Sequence, residues 1–239
     1  MPAISISKTT NAKSVHSQSA RQQRTCYSGV TMSTNKLSTA FWVRHWLISI
    51  GLASYYLVFA IRHLDSWLTT GQVASLLIVV LEAVAIVIIL SRRPEKTITN
   101  RPIEWLAAVG GTIVPLAFIP GGSVLIDPRL GTWLVMGGIV ISILGLLSLN
   151  RSIGVVPADR GIQTAGLYHM VRHPIYTGYL VTFGGYLLVS ASLVNVLAYS
   201  SMVVLLVARV VYEERHLEQN DEYARYMKRV KWRLAPGIY

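Results

Sequence analysis

Six apolar runs, at residues 41–61, 71–90, 103–119, 130–149, 175–190 and 193–212, leave this 239-residue chain few ways to fold. Each approaches the roughly 20 residues that a helix needs to cross a bilayer. Backbone polar groups in lipid must be satisfied within the segment, so such runs become helices. The expected fold is all-α, a polytopic membrane helical bundle of about six spans. The fifth run is short, contains Gly184-Gly185, and joins the sixth through Ser190-Ala191-Ser192. Those last two runs therefore form a helical hairpin. Charged residues make up only 14% of the chain, against about 25% in soluble domains, which excludes an ordinary soluble enzyme.

Basic residues orient the bundle. Of 22 Lys and Arg, only Arg62 and Arg129 lie in the loops after the first and third runs. The other twenty precede or open the first run, follow the second and fourth, or sit at and beyond the foot of the sixth. The positive-inside rule then puts both termini in the cytoplasm of a multi-pass protein. The short six-span chain suits a bacterial inner membrane better than the endoplasmic reticulum. A net charge of +11 also suits a nucleic-acid binder, but these cations sit between apolar runs. Membrane lipids with anionic headgroups are their expected partner, and nucleic acid is not. Cys26 is the only cysteine, so neither a disulfide framework nor a thiolate metal cluster is expected.

Three regions follow. Residues 1–38 contain no Asp or Glu and are rich in Ser, Thr, Gln and Asn. They read as a disordered tail or as a targeting segment, with Met32 as an alternative start. Residues 39–149 hold four spans. Residues 150–239 hold the hairpin and nearly all the chemistry. Small residues four apart, Ala107 with Gly111 and Gly138 with Ser142, extended by Gly145, suit close helix contact. Glu82 stands mid-span, read either as a proton or substrate ligand or as an interhelical hydrogen bond. Glu104 sits near a helix start, where the macrodipole favours an anion.

Ionisable groups stand at both feet of the hairpin. Arg172-His173-Pro174-Ile175-Tyr176-Thr177-Gly178 opens it, and Arg209 with Glu213-Glu214 closes it. Ionisable residues at membrane depth are costly and mark function. Pro174 suits the first turn of a helix, which would leave the N–H groups of Ile175 to Thr177 to hold an anion. Arg209 and Glu213 are four apart on one helix face. They read as a surface ion pair, weak in this Arg-before-Glu order, or as two groups with separate guests.

With Asn150, Pro157-Ala158-Asp159-Arg160-Gly161 and Gly166-Leu167-Tyr168, these residues carry a resemblance. The C-terminal 90 residues resemble the isoprenylcysteine carboxyl methyltransferase family of integral-membrane methyltransferases, related to phospholipid N-methyltransferases. The resemblance implies S-adenosyl-L-methionine as cofactor. It implies cofactor contacts at Arg160, Gly161, Ile162, Gln163, Tyr168, His173, Pro174, Ile175, Tyr176, Glu213 and Glu214. Family members often carry His-x-Leu where this chain has Arg160-Gly161-Ile162. Arg209 would be the catalytic and substrate-binding residue, gripping the carboxylate of an isoprenylcysteine-like or lipidic acceptor. A sulfonium and a carboxylate react to neutral products, so water exclusion favours the step and no general base or metal is needed. An amine acceptor, as in phospholipid N-methylation, would need a base.

Sterol reductases, which use NADPH, share the Arg-His-Pro-x-Tyr element. Theirs commonly continues Gly-Glu or Gly-Asp after a Trp, whereas this chain has Gly178-Tyr179 and Tyr168. The C-terminal tail repeats Tyr223, Tyr226, Met227 and Val230 at helical spacing. That pattern reads as an amphipathic helix on the headgroups, as a lid over the cofactor, or as both.

Overall fold

A computed structural model describes residues 39–71, 73–119 and 121–237. The readings placed on residues 1–38, including the alternative start at Met32, lie outside the described residues. The chain divides into two compact units, Met1–Val43 and Arg44–Tyr239. Of the first, only the opening of a helix from Thr39 is described; everything below concerns the second.

Each of the six apolar runs is helical, and a seventh, short helix follows. They are α1 (Thr39–Thr70), α2 (Val73–Leu90), α3 (Pro102–Ile113), α4 (Pro128–Leu149), α5 (Pro174–Val189), α6 (Leu193–Leu217) and α7 (Asp221–Arg229). Four of these, α1, α2, α4 and α6, are long and apolar enough to cross a membrane. The other two helices of the apolar runs, α3 and α5, are shorter. Helix α3 has 12 residues and tightens into a 3-10 turn at Val114–Ala117. Pro115 causes this, because its ring clashes with the carbonyl four residues back and it brings no N–H. At 16 residues, α5 rises about 24 Å, short of a hydrocarbon core of about 30 Å.

Two helices outrun their apolar cores. Helix α1 continues past residue 61 to Thr70 and ends against Gly71, whose φ of +68° suits only glycine well. Helix α6 continues past residue 212 to Leu217, so Glu213 and Glu214 ride on the spanning helix itself. Starts are capped as the residues dictate: the side chains of Asp127, Ser192 and Asn220 accept N–H bonds at α4, α6 and α7.

Helices α4 and α5 pack most closely. A Cβ on Gly138 would collide with Thr182 and the Gly178 carbonyl, and one on Gly178 with Ser142 and the Gly138 carbonyl. Gly145 meets the Ile175 backbone in the same way. The small-residue face expected on α4 is therefore a backbone contact, worth its conformational cost only because α5 offers glycine in return. Helix α2 packs on α4, and α3 on α6. Ala85, Ile88 and Ile89 of α2 form one core with Leu146 and Ile175, against which Tyr56, Tyr176 and Tyr179 pack. Helix α1 leaves Leu57, Val58 and Ile61 more than half exposed, as a lipid-facing helix should.

Two ends of the bundle are distinct. At one, Ser123 pairs with Ala191 beside the α5–α6 turn. At the other, the segments after α2, α4 and α6 meet. Strand β1 (Thr97–Ile98) pairs antiparallel with β2 (Ala158–Asp159), the Arg93 N–H donates to the Arg151 carbonyl at 2.8 Å, and Thr97 Oγ1 lies 3.0 Å from His216 Nε2. Nearly all the basic loops gather there. Glu104, in the first turn of α3, is buried and 3.8 Å from Arg101, consistent with its expected place at a helix start.

Candidate active site

The site is built on the basic end from the α4–α5 loop, the two feet of the hairpin, and the tail. Asn150, at φ +51°, turns the chain out of α4. After β2, Asp159 Oδ1 accepts the Gly161 N–H at 2.9 Å while its Oδ2 accepts from Asn220 Nδ2 at 2.8 Å. Gly161 stands at φ +97°, a conformation strained for any residue with a Cβ. That turn aims Arg160 back at the α2–α3 loop. Its Nη2 meets Glu95 Oε2 at 3.0 Å, and its Nη1 donates to the Arg93 carbonyl. Gln163 donates to Ser152 at 3.1 Å. A 3-10 turn, Gly166–His169, then delivers Tyr168.

The hairpin feet meet at Glu214. Its Oε1 lies 3.1 Å from His173 Nε2 and 3.2 Å from Arg172 Nε, and its Oε2 accepts from Arg233 Nε at 2.9 Å. Three basic groups thus surround one buried carboxylate. The tail is laid along the start of α5: the N–H groups of Arg172 and His173 donate to the carbonyls of Trp232 and Arg233 at 3.0 and 2.8 Å. Glu213, one residue earlier, faces elsewhere. Its Oε2 accepts the Tyr176 hydroxyl at 2.9 Å. The Tyr176 ring stacks on His173 at 5.4 Å, and the Arg209 guanidinium lies over the same ring at 5.1 Å.

Arg209 is buried. Its hydrogen bond runs to the Val155 carbonyl at 2.9 Å, and among the described residues no carboxylate lies within ion-pair distance of it. The ion pair that the i,i+4 spacing allowed is therefore not formed; Tyr176 stands between Arg209 and Glu213. Gly111 of α3 abuts the Arg209 side chain, where an added Cβ would lie 3.1 Å from Cδ.

An open cleft lies among these elements. Seven of the eleven expected cofactor residues line it: Arg160, Gly161, Ile162, Gln163, Tyr168, His173 and Glu213. Four do not. Pro174 and Ile175 are buried in the helix packing, Tyr176 stands behind His173, and Glu214 is occupied by its three basic partners. Nor is the start of α5 an open anion site along its length, since the Thr177 N–H already donates to the His173 carbonyl at 3.2 Å.

Arg172, Tyr223 and Tyr226 join the lining. Arg172 had a signal as the first residue of the motif, and the tyrosines had their helical periodicity. Helix α7 turns Tyr223, Tyr226 and Val230 inward onto Ile162 and Leu217, and the Tyr226 hydroxyl donates to the Tyr168 carbonyl at 2.7 Å. Its apolar face packs onto the residues that line the cleft. Glu95, which anchors Arg160, had no signal in the sequence.

The electrostatics follow the burial. Burial alone would raise the Glu95 carboxyl; a hydrogen bond to its own backbone and the nearby charges of Arg160, His45 and Arg92 outweigh it and hold the group below the ordinary carboxylate value. Burial, with the neighbouring Arg160, pushes Arg92 down to about 10. Burial, then the Glu213 charge, pushes the Tyr168 and Tyr223 phenols up, so both stay protonated hydrogen-bond donors.

No curated protein matches this chain. Residues 127–223, which run from the cap of α4 into α7 and include every cleft-lining residue but Tyr226, match the phospholipid methyltransferase family.

Proposed function

We propose that the cleft binds S-adenosylmethionine and that the protein methylates an oxyanion-bearing lipidic acceptor, in the first instance at a carboxylate. One observation carries this reading. The Tyr176 ring joins the two halves of the reaction, with its hydroxyl on Glu213 in the cleft and its face beneath Arg209, a buried cation lacking a carboxylate partner among the described residues.

The donor set fits the cofactor. Among the described residues, the Glu213 carboxylate accepts one side-chain hydrogen bond, on one oxygen, which leaves the other for a ribose hydroxyl or an ammonium. Arg160 and Arg172 supply positive charge for a carboxylate. Tyr168, Tyr223 and Tyr226 supply ring faces suited to an adenine or a sulfonium. S-adenosylmethionine supplies an electrophilic methyl group when bound. Arg209 would orient the acceptor oxyanion, bidentately for a carboxylate, with Tyr176 and His173 fixing the distance between the two sites. Exclusion of water from the cleft would strengthen each of these contacts. An ionised oxygen needs no base, so alignment is the protein's main contribution.

A second reading has Arg209 on the phosphate of an aminophospholipid and the methyl delivered to its nitrogen; the family match favours it. Orientation belongs to the same proposal: the basic end, with the cleft, faces the cytoplasm. The test is transfer of a tritiated methyl group from S-adenosylmethionine to host membranes. A methyl ester releases its label in mild alkali, and an N-methyl group keeps it. Absence of any labelled lipid, together with tight NADPH binding, would overturn both readings.

A further inference from the structure

Glu82 of α2 plays no part in the cleft. It is only 8% exposed, its Oε2 is shielded from solvent without a hydrogen-bond partner, and no ion pair among the described residues reaches it. A buried, unpartnered carboxyl within a membrane helix is costly. Packing alone would be served better by a leucine.

Its surroundings point toward the acceptor. Ala85, one turn beyond Glu82 on α2, belongs to the core against which Tyr56, Tyr176 and Tyr179 pack, and Arg209 lies over the Tyr176 ring. Tyr56 of α1, with Tyr55 beside it, packs on that same core. A carboxyl and a guanidinium thus stand around one aromatic cluster without pairing with each other. A site filled only by hydrocarbon would leave Glu82 unsatisfied.

We infer that Glu82 and Tyr56 form a second polar subsite for the acceptor, taking a hydroxyl or amine of the molecule whose oxyanion lies against Arg209. The ligand class follows from the chemistry. A carboxyl group offers free lone pairs, and their complement is an O–H or N–H. Such a site selects an amphiphile with a hydrogen-bond donor near its acidic group and rejects a simple fatty acid, which would leave Glu82 unpaired. This rests on the proposed methyl transfer.

The test uses full-length protein in detergent, tritiated S-adenosylmethionine, and a total lipid extract of the expression host as the acceptor probe. Glu82→Leu is expected to lower kcat/KM for labelled lipid by at least about tenfold. Affinity for S-adenosylmethionine should be unchanged, and Tm equal or higher, since a buried polar group is removed. Glu82→Gln, which keeps an acceptor oxygen, should raise KM more than it lowers kcat. Wild-type turnover in Glu82→Leu overturns the inference and leaves methyl transfer standing. No labelled lipid from the wild type sinks both. If Glu82→Leu does not fold, Tyr56→Phe replaces it: an increase in KM supports the subsite, and no change counts against it.

Discussion

At the scale of single residues, Tyr176 explains why Arg209 and Glu213 act apart. Their spacing places both on one helix face, and nothing in the sequence says that a ring from α5 slides between them. With that ring in place, the two substitutions should separate. Glu213→Ala is expected to weaken S-adenosylmethionine binding about tenfold to a hundredfold, the range for a charged hydrogen-bond partner, as read by titration calorimetry. Arg209→Ala should leave that affinity near wild type and lower kcat for the acceptor by roughly 10² to 10³, as removal of a preorganised oxyanion donor does. Equal, small losses in both measurements would leave the two residues a structural role only. Glu213 and Glu214 are neighbours in sequence with different duties. Successive helix positions point about 100° apart, so one meets the cleft and the other the Arg172, His173 and Arg233 cluster.

At the scale of elements, the α2–α3 loop supports a cofactor loop far from it in sequence. Strand β1 holds β2, and Glu95 holds Arg160 at 3.0 Å. Glu95→Ala should therefore weaken cofactor binding although Glu95 lies outside the cleft, and should destabilise the protein by about 3–5 kcal/mol, because it leaves buried cations unpaired. The pH dependence has a definite sign. A carboxyl held below its ordinary value in the folded state stabilises the protein fully above that ordinary value. The contribution is lost as pH falls through the lower, folded-state value. Thermal melts of the wild type should drop across that acid window, and those of Glu95→Gln should drop less. The glycine contacts of α4 and α5 were legible because small-residue spacing is a local pattern. The pairing of Glu95 with Arg160 was not, since 64 residues separate them and neither position is unusual for a loop.

Across the whole molecule, the tail closes what the hairpin opens. It contributes Tyr223 and Tyr226 to the cleft, Arg233 to Glu214, and backbone carbonyls to Arg172 and His173. A chain ending at Asn220 should keep its spanning helices, with far-ultraviolet circular dichroism near wild type. It should lose S-adenosylmethionine binding, because the cleft loses a wall and Glu214 one of its three basic partners. Retained affinity would show the tail to be dispensable. Apolar run length, Pro at helix starts and Gly or Pro at helix ends determined by themselves that the chain is a helical membrane bundle with a hairpin near its C-terminus. They could do so because these signals act within a few residues. Tertiary structure alone decided that Glu214 ties a cluster while Glu213 faces a cleft, and that α7 turns inward. Those outcomes depend on which distant groups meet in a low-dielectric interior, where an unpaired charge is expensive and the partner is set by packing.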